Sequence, residues 1–217
     1  MTSLTVAFSI ELSAQERKSM ARPTVVGITG TIGSGKSLVG TLLKTRGFTV
    51  IDTDEVVHQL FASDAELQRA IGNRFGTAVL TKRNEIDRPR LGAIVFSDEE
   101  ARKDLEAIVH PAVVRECERL ILEHLNEKCI FFLVPLLFEA GLSSRYDKIW
   151  AVTTDDSVLR ERLQARTNLS DEEMTARFAA QMSQSQKASL AHRVIDNSGS
   201  IADTEKQVNA LLQELGV

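Results

Sequence analysis

The sequence predicts an α/β fold, a doubly wound parallel sheet carrying a helical insertion and a helical lid. Three observations lead there. Short β-branched runs alternate with helical stretches near both ends of the chain; a glycine-rich turn joins the first such strand to the first helix; and between residues 55 and 128 the alternation stops and helical spacing takes over. Strand, helix, strand in that order makes neighbouring strands parallel.

Taken in order, Thr24–Thr29 is β-branched and short, as a central strand is. Helical spacing over 34–46 stops at Gly47, a normal helix end, and 48–52 is the next strand. The insertion 55–128 places Val56, Val57, Leu60 and Phe61 on one helical face, with turn signals at Gly72, Gly76 and Asn84. Strands resume at 130–134 and Lys148–Thr153. Residues 156–191 form a charged helical stretch, 194–196 a last strand and 202–215 a last helix. The expected organisation is a disordered leader over 1–22, a core of 23–54, 129–155 and 192–217, the insertion 55–128, and a lid over 156–191.

The chain has 217 residues, enough for one sizeable core, and a net charge of -4. That balance argues against bulk nucleic-acid binding, which needs a clustered cationic face. The longest apolar run, 129–138, is too short to cross a bilayer and contains Pro135, so it reads as a buried strand. Cys117 and Cys129 fit no metal or redox spacing, which implies a reducing, cytoplasmic setting. Residues 1–19 lack a basic leader, and Glu11 interrupts their apolar part, so they make a poor secretory signal. They are either a regulatory extension or the product of an upstream start; the second is simpler. A monomer or weak homo-oligomer is expected, with no membrane partner.

Gly30-Thr31-Ile32-Gly33-Ser34-Gly35-Lys36-Ser37 fits the P-loop pattern in full, between a strand and a helix as that motif requires. Glycines let successive amides turn inward on one anion, and the following helix adds its unpaired N–H groups and positive dipole end. Lys36 supplies a mobile charge for the β- and γ-phosphates, and Ser37 a hydroxyl for Mg²⁺. Leu38 stands where a second hydroxyl residue often follows; its amide, not its side chain, is left to meet the α-phosphate.

The motif says nucleoside triphosphate without saying what is done with it. An Asn-Lys-x-Asp guanine-reading segment is absent from the sequence, and the apolar strand runs into Pro135-Leu136-Leu137-Phe138-Glu139 rather than an acidic Mg²⁺ ligand. Asp52-Thr53-Asp54 ends the second strand, where ligand crevices form in doubly wound sheets. Asp54 there can accept a proton from an acceptor hydroxyl; alternatively Thr53 or Asp54 caps the next helix, and the two roles are compatible. Arg162 and Arg166, four apart, share a helical face from which Arg160 is displaced. They either close over a transferring phosphate or form a solvated face paired with Glu161, Glu172 and Glu173. A kinase must keep water out, which favours the lid.

With these pieces assembled, the chain resembles the dephospho-coenzyme A kinase family from about Val25 to Leu215. The resemblance rests on Gly27-x-Thr29-Gly30-x-Ile32-Gly33-Ser34-Gly35-Lys36-Ser37, Val50-Ile51-Asp52-x-Asp54, Asp87-Arg88-x-x-Leu91 with Val95-Phe96, and Leu105-Glu106-x-Ile108-x-His110-Pro111. It continues through Val134-Pro135-Leu136-Leu137-Phe138-Glu139, Arg162-Leu163-x-x-Arg166, Arg177-x-x-x-Gln181 and Ile195-Asp196-Asn197-x-Gly199. The P-loop is widely shared; His-Pro followed by Val-Pro-Leu-Leu-Phe-Glu is much narrower.

The resemblance implies ATP-dependent phosphorylation of the ribose 3′-hydroxyl of dephospho-coenzyme A, with Mg²⁺. It makes 55–128 the coenzyme A-binding domain and Asp54 the base. It puts Arg88, His110 and Glu139 on the acceptor side, Arg162 and Arg166 on the phosphate side, and Asn197 near the adenine of ATP. Each keeps a structural alternative: His110 before Pro111 fixes a helix start, Glu139 holds a loop by accepting backbone amides, Arg88 pairs with Asp87 or Glu85. Thr53 and His192 depart from the family's usual alanine and aspartate. Two other functions fit the residues: a P-loop kinase for another small hydroxyl or nucleoside monophosphate, and a non-catalytic nucleotide-binding adaptor.

Overall fold

The computed structural model describes residues 22–166 and 181–217, leaving aside the side chains of 165 and 166. The expected leader up to residue 21 and the interior of the expected lid, 167–180, lie outside the described residues. Five strands form one sheet in the order β2-β3-β1-β4-β5, every neighbouring pair parallel. They are β1 (Thr24–Thr29), β2 (Thr49–Asp52), β3 (Cys129–Leu133), β4 (Lys148–Thr153) and β5 (Arg193–Asp196). β3 lies between β1 and β2, and its five residues are all buried, as a strand covered on both faces must be.

On one face of the sheet, α1 (Lys36–Lys44) and α8 (Ile201–Leu215) bury Val39, Leu43, Val208 and Leu212 against Val26, Ile28, Phe131 and Trp150. On the other, Val25, Ile130, Phe132 and Ile149 meet Leu137 from the loop after β3, with Tyr146 and Cys117 packed alongside. That loop lies so close to β1 that a Cβ on Gly27 would fall 2.7 Å from Leu137. Arg22, expected at the end of a loose leader, is instead held by the core: its guanidinium donates to both carboxylate oxygens of Asp147, at 2.7 and 2.9 Å.

The helical insertion begins at Thr53. It comprises α2 (Thr53–Ser63), α3 (Ala65–Phe75), α4 (Arg88–Ser97) and the 25-residue α5 (Glu99–Glu123). Phe61, Leu67, Ile71, Leu91 and Val109 give it a core of its own. The reading of His110-Pro111 as a helix start is corrected here. Asp98 caps α5, accepting from the amides of Glu100 and Ala101, and Pro111 lies inside the helix. Pro111 is exposed, so water can serve the carbonyl that proline leaves without a donor. After β4 come α6 (Asp156–Arg166) and α7 (Gln184–Leu190). Among the described residues no helix is long and apolar enough to cross a membrane.

Candidate active site

The P-loop closes β1 and opens α1. Gly35 is the N-cap of α1 at φ 102°, a left-handed conformation that side chains resist, and a Cβ there would fall 1.8 Å from Asn197 Nδ2. The loop's shape therefore depends on glycine for backbone and space alike. The Lys36 ammonium folds back to donate to the carbonyls of Gly30 (2.7 Å) and Thr31 (3.1 Å). Burial pushes its pKa down to about 8, the Lys187 charge pushes the same way, and Asp54, Asp52 and Glu139 oppose both. The hydroxyls of Thr31 and Ser34 are buried without a hydrogen-bond partner among the described residues. Buried polar atoms are rarely left so, and two in one glycine-rich loop suit a ligand rich in acceptor oxygens. Ser37 exposes its side chain at the start of α1. The Leu38 amide donates to the Gly35 carbonyl at 2.9 Å in the tightly wound first turn of α1.

At the end of β2 the capping role falls on neither Thr53 nor Asp54. Asp52 is the N-cap of α2, accepting from the Asp54 amide at 3.0 Å, and the Thr53 hydroxyl donates to the Leu133 carbonyl. This leaves the Asp54 carboxylate unused by the helix. Its pKa is raised, first by the protein packed around it and next by the charge of Asp52; Lys36 and Arg88 pull it back. Asp54 thus shares a field with the P-loop lysine.

Asp54 also lines a cavity of about 300 Å³ bordered by α2, α5, the sheet face at β1 and β3, and the loop 134–146. The walls are largely apolar: Val57, Phe61, Val109, Val113, Ile121, Phe132, Leu136 and Tyr146. Polar groups are few, among them Asp54, Glu106, His110, Glu118 and Arg145. Arg145 and Glu118 pair at 3.0 Å. Such a lining suits an elongated, partly apolar molecule gripped at a few polar points.

The other expected site residues divide into three groups. Arg88 opens α4 and donates to His58 Nδ1 at 2.7 Å; Asp87, its suggested partner, pairs with Arg90. Glu139 accepts two bonds from Lys187 Nζ, at 2.6 and 2.8 Å, and one from the Met182 amide. Arg88, Glu139, Lys36 and Asp54 therefore belong to one electrostatic cluster. Asn197 and Arg162 lie elsewhere. The Asn197 amide donates to the Ser34 carbonyl and its Oδ1 accepts from Thr204, so this buried side chain braces the P-loop from beneath. Arg162 donates to the Asn197 carbonyl at 3.0 Å, beside Leu159 and Leu163, which pack over Gly33. Arg166 ends α6, and its side chain lies outside the described atoms.

Lys187, His58 and Gln181, whose Oε1 accepts from the Ile32 amide, have no assigned role in the sequence reading. Lys187 belongs to a stretch read as a charged helical lid, and helical spacing gives no sign that it is wholly buried.

The dephospho-CoA kinase family model matches residues 24–203. A curated dephospho-CoA kinase of Symbiobacterium thermophilum is 43% identical over 188 residues, 86% of this chain and 79% of that protein. The crystal structure of TT1252 from Thermus thermophilus superposes with a TM-score of 0.76 at 37% identity, covering 89% of this chain and 98% of that one. The dephospho-CoA kinase of Campylobacter jejuni gives a TM-score of 0.66 at 30% identity, covering 88% and 96%.

Proposed function

The chain belongs to the dephospho-CoA kinase family, and from that premise we propose that it transfers the γ-phosphoryl group of ATP to the ribose 3′-hydroxyl of dephospho-coenzyme A, giving coenzyme A and ADP. The observation that carries this reading is the position of Asp54. It lines the apolar cavity while sharing charge with Lys36 of the phosphate loop, so one carboxylate stands where acceptor and donor meet.

The triphosphate lies on the P-loop. The amides at the start of α1 and the hydroxyl of Ser34 face its oxygens, with Gly30, Gly33 and Gly35 giving room. Lys36 leaves the carbonyls of Gly30 and Thr31 and moves onto the β- and γ-phosphates, exchanging two neutral acceptors for anionic ones. Ser37 would ligate Mg²⁺, which supplies charge neutralisation across the phosphates when bound. The acceptor occupies the cavity between α2 and α5, with the helical insertion as the coenzyme A-binding domain. Asp54 takes the proton of the attacking hydroxyl, and Arg88 and His110 bind the acceptor. Arg162 and Arg166 act from the lid, the stretch 156–191. Asn197 supports the loop that holds the nucleotide. Phosphoryl transfer asks little covalent chemistry of the protein, so position and charge dominate.

We place the enzyme in the cytoplasm as a monomer or weak homo-oligomer without nucleic-acid or membrane partners. The free thiols of Cys117 and Cys129, both raised in pKa by burial, agree with a reducing compartment. The test of function is a panel of acceptors incubated with ATP and Mg²⁺, the product identified by mass: dephospho-coenzyme A, nucleosides, nucleoside monophosphates and sugars. A single phosphoryl addition to dephospho-coenzyme A is expected. Preferential turnover of another acceptor, or nucleotide binding without transfer, would replace the reading.

A further inference from the structure

We propose that Lys187 is a positioning residue for phosphoryl transfer: it neutralises Glu139 and grips the Pro135 carbonyl, leaving Lys36 free for phosphate and fixing the acceptor-side loop against the P-loop. The inference rests on the nucleotide reading of the P-loop and not on which acceptor fills the cavity.

Lys187 is wholly buried, and its Nζ meets the Pro135 carbonyl at 2.9 Å and the two Glu139 oxygens at 2.6 and 2.8 Å. An ammonium has three N–H groups, so its donors are fully engaged. Burying such a charge is costly and demands this degree of pairing. The partners it selects are informative. The Pro135 carbonyl also accepts from the hydroxyl of Thr29, the last residue of β1 and the one before the P-loop begins. Pro135 lines the cavity. The same stretch of chain reaches both sides of the site: Gln181 accepts from the Ile32 amide in the P-loop, and the Met182 amide donates to Glu139. Residues 181–187 therefore hold the P-loop and the cavity wall in one register.

Charge gives the second half of the argument. Lys36 feels Glu139 as an attraction and Lys187 as a repulsion. While Lys187 is present, Glu139 is satisfied. Remove the ammonium, and an unpaired carboxylate is left near the mobile P-loop lysine. Lys36 then has an anionic partner inside the protein that competes with phosphate for it.

The experiment compares Lys187→Met with Lys187→Met/Glu139→Gln on the full chain, using ATP alone as the titrant in calorimetry and thermal melting to confirm folding. The single variant should bind ATP about tenfold more weakly. The double variant, which leaves neither charge unpaired, should recover to within about threefold of the wild type. A lysine of purely structural value would not give this rescue; the double would be as weak as the single or weaker. Wild-type ATP affinity in Lys187→Met overturns the proposal, as does a double variant no better than the single. If Lys187→Met does not fold, the double is set directly against the wild type: affinity within about threefold supports the proposal, and a loss of tenfold or more overturns it. Because no acceptor is present, failure of the dephospho-coenzyme A assay leaves the outcome readable.

Discussion

The two halves of the site are built on opposite plans. The proposed nucleotide half is a short piece of backbone, Gly30 to Ser37, offering amides, two hydroxyls that have no partner among the described residues, and one lysine. The proposed acceptor half is a chamber whose walls come from positions as distant as Val25 and Tyr146, mostly apolar, with a few charged points. Phosphate looks the same on every nucleotide, so a fixed local device suffices to hold it. A particular acceptor must be chosen by shape, and shape requires elements from several parts of the fold.

The largest effect that could break this contrast is at the lysine. Lys36→Ala should weaken ATP binding and lower turnover by about 10³-fold while leaving acceptor binding measurable by calorimetry. An equal loss of acceptor binding would mean that the halves are not separable. Next is the residue between them. Asp54→Asn should lower kcat by about 10²-fold or more with ATP affinity unchanged. The sign of its pH dependence follows from the raised pKa. The base must be deprotonated, so the wild-type rate should fall on the acid side at a higher pH than an ordinary aspartate would give, and this limb should vanish in Asp54→Asn. On the alkaline side, affinity for ATP should decline as the pH rises through the lowered Lys36 pKa of about 8.

A smaller and more selective effect is expected within the chamber. Val113→Phe fills space on its wall and should raise KM for the acceptor about tenfold, with KM for ATP unmoved in steady-state kinetics. The smallest belongs to Phe96, which is 79% exposed and is not among the chamber's lining residues. Phe96→Ser should shift unfolding free energy by no more than about 0.5 kcal/mol in urea titration.

The same contrast explains what was legible in the sequence. The P-loop is contiguous, so spacing alone displays it, and β1 and β4 fall at the expected residues because β-branched runs mark buried parallel strands. Other features depend on geometry that spacing does not carry. Asp52 rather than Thr53 or Asp54 caps α2, a choice made by where β2 ends. Pro111 suggests a boundary but sits inside α5, because its exposed side lets water replace a lost bond. Asn197 carries a family motif, yet its amide and carbonyl both serve protein partners, one of them 163 residues away. Lys187 and Glu139 are 48 residues apart, and nothing local to either announces the other.

The anchoring of Arg22 on Asp147, whose carboxylate also receives the Val25 amide, lies at the entry edge of the sheet, whereas Gly30 and Asp54 follow the far ends of their strands. A peptide tether or bead linkage joined ahead of Arg22 would therefore leave from the side of the sheet opposite the P-loop, and the immobilised protein would keep its phosphate loop open to incoming nucleotide.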